Sequence, residues 1–279
     1  MFKIFTFVKN EQHIIRDWLL YHASVVGCDN LFVVDNGSTD DTTTILQEWV
    51  NRGLNYTRYE GAFINKHLIL SHLIKKHAND CFVVPLDCDE FIVLKTKNGI
   101  SINREDIVHA FRRQSVDDGY RYKLHQFDVV PVDDVQVDVS IPQLSLFDEK
   151  QDRLWLDRFA KTFYHGRWFV STDQGNHHGM VRGANTAVQT KLALLHYNIR
   201  SYKHFVDKTI KGAQAYGHHK HVIPAHGLGV HYHRRYWAIK NGRGVDQMNK
   251  EFGCAQPVSI DAMSTKLKQL YEVSDNNKN

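Results

Sequence analysis

The first third of the chain alternates strand-like and helix-like segments, and this order constrains the fold more than any other feature. Three segments are strand candidates, 2–8, 30–36 and 54–61, and the segment 81–94 contains a fourth strand that ends at the carboxylates. Three segments between them place apolar residues at helical spacing: 11–27, 37–53 and 64–80. Because strands that alternate with helices usually pair in parallel, the pattern predicts an α/β fold, with helices on both faces of a parallel sheet.

The pattern changes from about residue 120 onward. Shorter strand-like runs cover 120–132 and 160–172, and loops rich in glycine and histidine follow them. We expect helices from Tyr202 to about Tyr216 and from Ile260 to Tyr271, with a frayed end in the last six residues. No repeat or low-complexity linker interrupts the chain, so the sequence predicts one domain, 1–279, with an elaborated second half.

Composition argues against several classes of protein. The net charge is only +4, from 35 basic and 31 acidic residues that are spread along the chain, which gives little support to a nucleic-acid partner or a membrane surface. The four cysteines show no CxxC pairing, which is typical of reduced thiols. The first apolar run is too short for a signal peptide, and no run has membrane-spanning length. We therefore expect a soluble, cytoplasmic protein.

The stretch VVPLDCDEFIVL, residues 83–94, places three carboxylates between two apolar runs. Such carboxylates repel one another and are costly to bury unless a cation or hydrogen-bond donors compensate them. On an extended strand, Asp87 and Asp89 would point to the same side and could share one cation. Hard oxygen ligands suit Mg²⁺ or Mn²⁺. A solvated acidic turn is the alternative, but the apolar residues on both sides favour a metal.

Four blocks of sequence resemble one group of enzymes. FVKNE ends the first strand, VVDNGSTDDT follows the second, PLDCDEF follows the fourth, and LLHYNIRSYKHFVDKTIKG occupies 194–212. Together they resemble the family 2 and family 92 glycosyltransferases, over 2–95 and in patches of 158–215. The resemblance implies the GT-A fold, a Rossmann-like and mostly parallel sheet flanked by helices. It also implies a nucleotide-sugar-binding half, 1–118, and an acceptor-side half, 119–279.

The resemblance implies contacts to the nucleoside of a UDP-sugar donor. The end of the first strand would supply Phe7, Val8 and Lys9, and Asp35 would accept a hydrogen bond from the base. The alternative for Asp35 is a turn or helix-capping role within DNGSTDD. Lys66 occupies a place where the group often has a basic or amide residue facing the diphosphate. Its alternative is a solvent-exposed helix lysine.

The resemblance also implies a metal site. Asp89 would bind Mn²⁺ or Mg²⁺ directly, and Asp87 would contact the metal through water or touch the ribose. His196 is the best candidate for a third ligand, and a core histidine is an equal alternative. Cys88 lies within the same binding segment, but its side chain should face the other side and pack. Glu90 could face that side too and brace a basic residue.

A UDP-sugar such as UDP-xylose, UDP-glucose or UDP-galactose would donate its sugar to a hydroxyl of a glycan. Members of the group invert the anomeric carbon, which implies direct attack by the acceptor hydroxyl while a carboxylate or histidine takes its proton. Candidate partners of the leaving diphosphate are Lys161, Arg200 and Lys208. Candidate bases are Asp128, Asp173 and His178, and no sequence argument separates them.

Two other functions compete with sugar transfer. A nucleotidyltransferase would need a glycine-rich, basic loop after the first strand, and FVKNEQH contains no glycine. A non-catalytic carbohydrate-binding protein could keep the same fold. The presence of both Asp87 and Asp89 argues against that second alternative.

Overall fold

A computed structural model describes residues 2–97, 99–131, 144–147, 161–218, 229–252 and 261–276. Its strands are β1 (Phe2–Val8), β2 (Leu31–Asp35), β3 (Asn55–Arg58), β4 (Phe82–Leu86), β5 (Glu90–Thr96), β6 (Gly99–Ser101), β7 (Tyr120–Pro131), β8 (Leu144–Phe147), β9 (Thr162–His165), β10 (Phe169–Thr172), β11 (Gly179–Val181) and β12 (Thr186–His196). Its helices are α1 (Ile15–Val26), α2 (Thr42–Val50), α3 (Lys66–His77), α4 (Arg104–Arg112), α5 (Tyr202–Ala215), α6 (Val230–Lys240), α7 (Gly244–Phe252) and α8 (Asp261–Asn276).

The chain divides into two compact units. The first comprises Met1–Phe127, Glu149–His196 and Thr265–Asn279, and the second comprises Asp128–Asp148 and Tyr197–Ser264. The single domain 1–279 stays a prediction, and so does its division into the halves 1–118 and 119–279. The second unit contains helices α5, α6 and α7 and the end of β7, which pairs antiparallel with β8.

A mixed sheet forms the centre of the first unit, in the strand order β3-β2-β1-β4-β9-β7-β12-β5-β6. Strands β1 to β4 pair in parallel, with β2 and β4 on either side of β1. Antiparallel pairs join β4 to β9, β9 to β7, β12 to β5 and β5 to β6. The predicted α/β class, with helices around a sheet and an elaborated later part, is confirmed.

Helices pack on both faces of β1, and the side chains of β1 alternate between these two faces. Phe5 and Phe7 belong to a buried cluster that includes Leu70 and Ile74 of α3. Phe2 points to the opposite face, where its ring stacks on Phe111 of α4 at a centroid distance of 3.8 Å. The first strand is therefore buried on both sides, which explains why its sequence is an almost continuous apolar run.

The prediction that the fourth strand ends at the carboxylates is confirmed, because β4 ends at Leu86, but the prediction that Asp87 and Asp89 lie on an extended strand is wrong. β4 pairs with β1, whereas β5 pairs with β12, and three strands lie between β4 and β5 in the sheet. The chain leaves the sheet at Asp87 and re-enters it at Glu90, whose backbone N–H donates to the Asp87 carbonyl at 3.1 Å. Aspartate is a poor strand former, which favours a break there. Asp87, Cys88 and Asp89 thus form a turn, which we term the acidic turn.

The helix predicted for residues 202–216 is confirmed as α5, and Ser201 caps it by accepting a hydrogen bond from the backbone N–H of His204. A frayed end was predicted for 274–279; the prediction is wrong for 274–276, which belong to α8, and 277–279 lie outside the described residues. Sequence reasoning missed α4, α6 and α7. In the part of the chain that the structure describes, no helix is both long and apolar enough to cross a bilayer.

Candidate active site

The carboxyl ends of β1 to β4 meet at one edge of the sheet because these strands are parallel. The register places Val8 of β1 beside Asp35 of β2, and Asp35 beside Arg58 of β3. The acidic turn follows β4 at the same edge. Open α/β sheets bind ligands at the carboxyl ends of their strands, so this edge is the candidate site.

Asp35 is fully buried, with 0% of its surface exposed. Its Oδ1 atom accepts a hydrogen bond from the Ser38 backbone N–H at 2.8 Å. Its Oδ2 atom accepts from Thr43 at 3.1 Å, from Tyr56 at 3.3 Å and from the Arg58 guanidinium at 3.1 Å. The chain therefore satisfies both carboxylate oxygens, which supports the interpretation of Asp35 as a turn residue. Its predicted contact with uridine stays a prediction.

The other predicted nucleoside contacts lie at the end of β1. Phe7 and Val8 are buried, and Lys9 is exposed in the loop that follows them. Asn36 was missed by sequence reasoning. Its side-chain oxygen is buried and has no hydrogen-bond partner in the described chain, while its backbone N–H donates to the Val8 carbonyl at 2.8 Å. Its position directly after a strand-ending aspartate was the signal that could have found it.

Two buried lysines hold Asp87 of the acidic turn. The Nζ atom of Lys66 lies 2.5 Å from Asp87 Oδ1, and that of Lys161 lies 2.6 Å from Oδ2. Burial alone would raise the pKa of Asp87, but Lys161 and Lys66 outweigh it and hold that pKa well below its usual range. Lys66 is buried at the start of α3, so the alternative of a solvent-exposed helix lysine is wrong. Cys88 is buried, as packing requires.

Glu90 and Lys161 form a buried ion pair behind the acidic turn. Glu90 Oε1 lies 3.2 Å from Lys161 Nζ, and Glu90 Oε2 accepts a hydrogen bond from the Asp87 backbone N–H at 2.9 Å. Burial raises the pKa of Glu90, and the attraction of Lys161 offsets only part of this rise. Burial would lower the pKa of Lys161, but Asp87 and Glu90 raise it above its usual range. The prediction that Glu90 braces a basic residue is confirmed.

Asp89 and His196 lie side by side because of the strand register. His196, the last residue of β12, pairs with Glu90, the first residue of β5. Its Nε2 atom is 3.5 Å from Asp89 Oδ2, and its Nδ1 atom is 2.8 Å from the amide nitrogen Nε2 of Gln126. With that nitrogen as the donor, Nδ1 accepts and a neutral ring carries its proton on Nε2. Rotation of the Gln126 amide by 180° would present its oxygen to Nδ1–H and leave the Nε2 lone pair for a metal. Sequence reasoning missed Gln126.

The pair of Asp89 and His196 fits a divalent cation. Two adjacent ligands of a small octahedral cation, each about 2.0–2.1 Å from it, lie about 3 Å apart. The observed 3.5 Å separation is close to that spacing and is long for a hydrogen bond. Within the described ranges, no group of three or more His, Cys, Asp or Glu side chains could hold a metal. Phosphate oxygens and water would therefore have to complete the coordination shell.

Asp173 and His178 lie in one loop of the first unit, between β10 and β11. Asp173 Oδ1 accepts a hydrogen bond from the backbone N–H of His178 at 2.9 Å, which closes the loop, 173–178. The same loop is tied to the acidic turn, because Lys161 Nζ donates to the Gly175 carbonyl at 2.8 Å as well as binding Asp87. Two of the three candidate bases therefore lie near the acidic turn.

Three predicted site residues belong to the second unit. Asp128 is buried on β7, where it pairs with Phe147 of β8. One guanidinium nitrogen of Arg200 lies 3.0 Å from the ring of His204. Lys208 Nζ donates to the backbone carbonyl of Asn198 at 3.1 Å. The predicted roles of Asp128 as a base and of Arg200 and Lys208 as diphosphate partners stay predictions.

Comparisons with known proteins give distant likenesses. No family model matches the chain. A stretch of 107 residues, 38% of this chain, is 26% identical to a glycosyltransferase family 92 protein of Ricinus communis, and it spans 18% of that protein's length. The structure of S. aureus TarS is 14% identical and has a TM-score of 0.44, with 87% of this chain and 43% of TarS covered.

Two further solved structures are of enzymes in complex with a nucleotide or nucleotide sugar and a divalent cation. Glucosyl-3-phosphoglycerate synthase from Mycobacterium tuberculosis, in complex with Mg²⁺ and UDP, is 14% identical, with a TM-score of 0.37 and coverage of 78% of this chain and 79% of that one. The mannosyltransferase PcManGT from Pyrobaculum calidifontis, in complex with GDP-Man and Mn²⁺, is 14% identical, with a TM-score of 0.36 and coverage of 97% and 85%. The chain is thus weakly similar in sequence to one glycosyltransferase and distantly similar in structure to others.

Proposed function

We propose that this chain is a glycosyltransferase that binds a UDP-sugar and a divalent cation at the acidic turn and transfers the sugar to a hydroxyl of a glycan. One observation carries the proposal. Asp89 and His196 lie 3.5 Å apart at the edge where sheets of this kind bind ligands, beside an Asp87 that two lysines keep ionised. The local similarity to a family 92 glycosyltransferase supports the same class of reaction.

In this proposal the chain supplies the groups that bind the donor diphosphate. Asp89 and His196 would hold the cation, which would supply positive charge to the leaving diphosphate. Lys66 is the first residue of α3, so its ammonium and the N-terminus of that helix both favour a phosphate beside the acidic turn. Asn36 supplies a buried amide oxygen that can accept the N–H of a base at the same sheet edge.

We also propose that the loop 173–178 supplies the base. The acceptor hydroxyl loses its proton to Asp173 or His178 as its oxygen attacks the anomeric carbon, and the bond to the diphosphate breaks on the opposite side, which inverts that carbon. His178 is exposed and Asp173 is partly exposed, so both side chains are accessible to an acceptor. Asp128, which is buried in the second unit, is the weaker candidate.

Release of UDP tests the proposal. The chain should hydrolyse at least one of UDP-xylose, UDP-glucose and UDP-galactose when Mn²⁺ is present, and a chelator should stop it. Asp89→Asn should remove this activity, whereas Asp80→Asn, which changes an exposed aspartate with an 82% exposed side chain, should keep it. UDP-sugar binding without turnover would indicate a carbohydrate-binding protein instead. Release of pyrophosphate from UTP and a sugar phosphate would indicate a nucleotidyltransferase.

A further inference from the structure

Lys161 directs its ammonium group to partners inside the protein. The side chain is 4% exposed, and its Nζ atom donates hydrogen bonds to Asp87 Oδ2 at 2.6 Å and to the Gly175 carbonyl at 2.8 Å. Glu90 Oε1 lies 3.2 Å from the same Nζ atom as an ion-pair partner, without a hydrogen bond. The predicted role of Lys161 as a diphosphate partner stays a prediction.

These partners of Lys161 come from two separate segments. Asp87 and Glu90 frame the acidic turn, whereas Gly175 lies in the loop 173–178, which carries Asp173 and His178. Other groups fasten the loop to the strands beneath it: the backbone N–H of Thr162 donates to the Asn176 carbonyl at 2.9 Å. The ammonium of Lys161 is a direct contact between the loop and the carboxylates of the acidic turn.

We propose that Lys161 is a positioning residue that fixes the distance between the donor-binding acidic turn and the loop that carries the acceptor base. This inference rests on the proposed function. Direct attack needs the acceptor oxygen about 3–3.5 Å from the anomeric carbon, and a misplacement of about 1 Å can cost about 100-fold in rate. A buried cation bonded to both sides keeps this distance fixed better than a flexible, solvent-exposed contact.

Replacement of Lys161 by methionine tests the role. Methionine keeps an unbranched chain of similar length but removes the ammonium. We expect kcat for transfer to fall about 100-fold, while KM for the donor changes less than about threefold, because the donor contacts remain. A rise in donor KM of tenfold or more at nearly unchanged kcat would overturn the proposal and support the diphosphate role.

A matched control is a lysine on β7 that contacts the same loop. Lys123 is also buried, and its Nζ donates to the His177 carbonyl at 2.8 Å. Among the described residues, the ion pairs of Asp87 and Glu90 are with Lys66 and Lys161. Lys123→Met should therefore loosen the loop but leave the acidic turn in place, and kcat should fall less than about tenfold. An equal loss of kcat in both variants would contradict the proposal.

A double variant separates positioning from charge balance. Lys161→Met leaves Glu90 buried without its cation, which should lower the melting temperature. Adding Glu90→Gln removes that charge, and the amide oxygen can still accept the Asp87 N–H. The double variant should regain most of the melting temperature but keep the low kcat. If it regains kcat as well, Lys161 only balances charge and the proposal fails.

Hydrogen exchange gives a result that does not depend on activity. Lys161→Met should speed exchange of the Glu90 amide, which closes the acidic turn by donating to the Asp87 carbonyl, and of the Asn176 and His178 amides in the loop. Lys123→Met should speed exchange of the loop amides only. Unchanged exchange in the acidic turn of Lys161→Met would overturn the positioning role even in a chain that turns over no donor. Absence of any donor turnover with this exchange pattern present would refute the proposed function alone.

Discussion

Two parallel strands, β2 and β4, lie on either side of β1 and each lead into an aspartate, and the two aspartates have different surroundings. Asp35 ends β2, is 0% exposed, and receives its hydrogen bonds from residues 38–58, which follow it in the chain. Asp87 follows β4 with its side chain 34% exposed, and it is held by Lys66 and Lys161, which come from distant segments. Both carboxylates are charged groups at the same sheet edge.

The difference teaches how to separate a structural carboxylate from one that serves a site. Asp35 is surrounded by donors of its own turn and of the next strand, which hold its carboxylate at the end of β2. Asp87 reaches solvent, lies beside a second carboxylate, and has only cations for partners. An arrangement that keeps a partly exposed carboxylate ionised and fixed is typical of a preorganised site.

The largest expected effect comes from the acidic turn. Asp89→Ala should lower UDP-sugar hydrolysis by at least about 1000-fold, since loss of a metal ligand removes several kcal/mol of charge stabilisation in the transition state. The melting temperature should change little, because Asp89 lies in a turn. The measurement is UDP release alongside a thermal melt. Activity that survives both this change and a chelator would contradict the metal hypothesis. The acidic turn would then no longer differ from Asp35 in serving a functional site.

The next effect belongs to the end of β2. Asp35→Ala should lower the free energy of unfolding by about 1–3 kcal/mol, because the Ser38 backbone N–H and the Arg58 guanidinium lose their acceptor. Urea denaturation measures the stability, and calorimetry measures the affinity for UDP. We expect the UDP affinity of the folded variant to change less than about threefold, which is close to the effect of a substitution at a site without a specific role. Unchanged stability with weakened UDP binding would reverse the comparison and return Asp35 to the nucleoside site.

A third prediction concerns His196, which is either a ligand or a core histidine. His196→Asn should weaken Mn²⁺ binding in the presence of UDP by about 10–100-fold, the range seen when metal sites lose supporting groups. The melting temperature without metal should stay nearly constant. Gln126→Leu is a useful companion, because it removes the amide beside Nδ1 but no predicted ligand. Constant Mn²⁺ affinity with a large drop in melting temperature would assign His196 to the core.

The smallest effect is a pH dependence of stability that arises away from both aspartates. His22 is fully buried; burial lowers its pKa to about 3, an effect only partly opposed by its bond to the Trp18 carbonyl. The unfolded chain has a histidine pKa of about 6.5, so it binds this proton before the folded chain does. Stability is therefore complete above about pH 6.5 and falls as the pH decreases, by up to about 1.4 kcal/mol per pH unit.

Asp87 cannot account for the loss of stability in that window. Its folded pKa is lowered, so its contribution is present above the unfolded value of about 3.9 and is lost only at lower pH. Urea melts at pH 7.0 and 5.5 should show the loss in the wild type and a smaller loss in His22→Gln. The same slope in both proteins would rule out His22 as the source.

The sequence predicted the parallel part of the fold because local periodicity defines it. Strands β1 to β4 and helices α1 to α3 each show their own apolar pattern within a dozen residues. The end of the fourth strand at the carboxylates was predicted, but the pairing of β5 with β12 was not, because these two strands are far apart in the chain. For the same reason, the burial of Lys66 and Lys161 and the neighbourhood of Gln126 and His196 required the structure.

The candidate site contains residues from distant parts of the chain, and this separation in sequence has a consequence for folding. Glu90 pairs with His196, and Lys161 joins Asp87 from between them. Closing such long loops costs entropy before the contacts can compensate it, so these pairings should form late. A folding intermediate that contains only β1 to β4 would have the carboxyl ends of the parallel strands but neither the His196 partner of Asp89 nor Lys161 beside Asp87. A metal and a donor that bind as proposed would then do so only after the last strands had docked, and neither would act as a nucleus for folding.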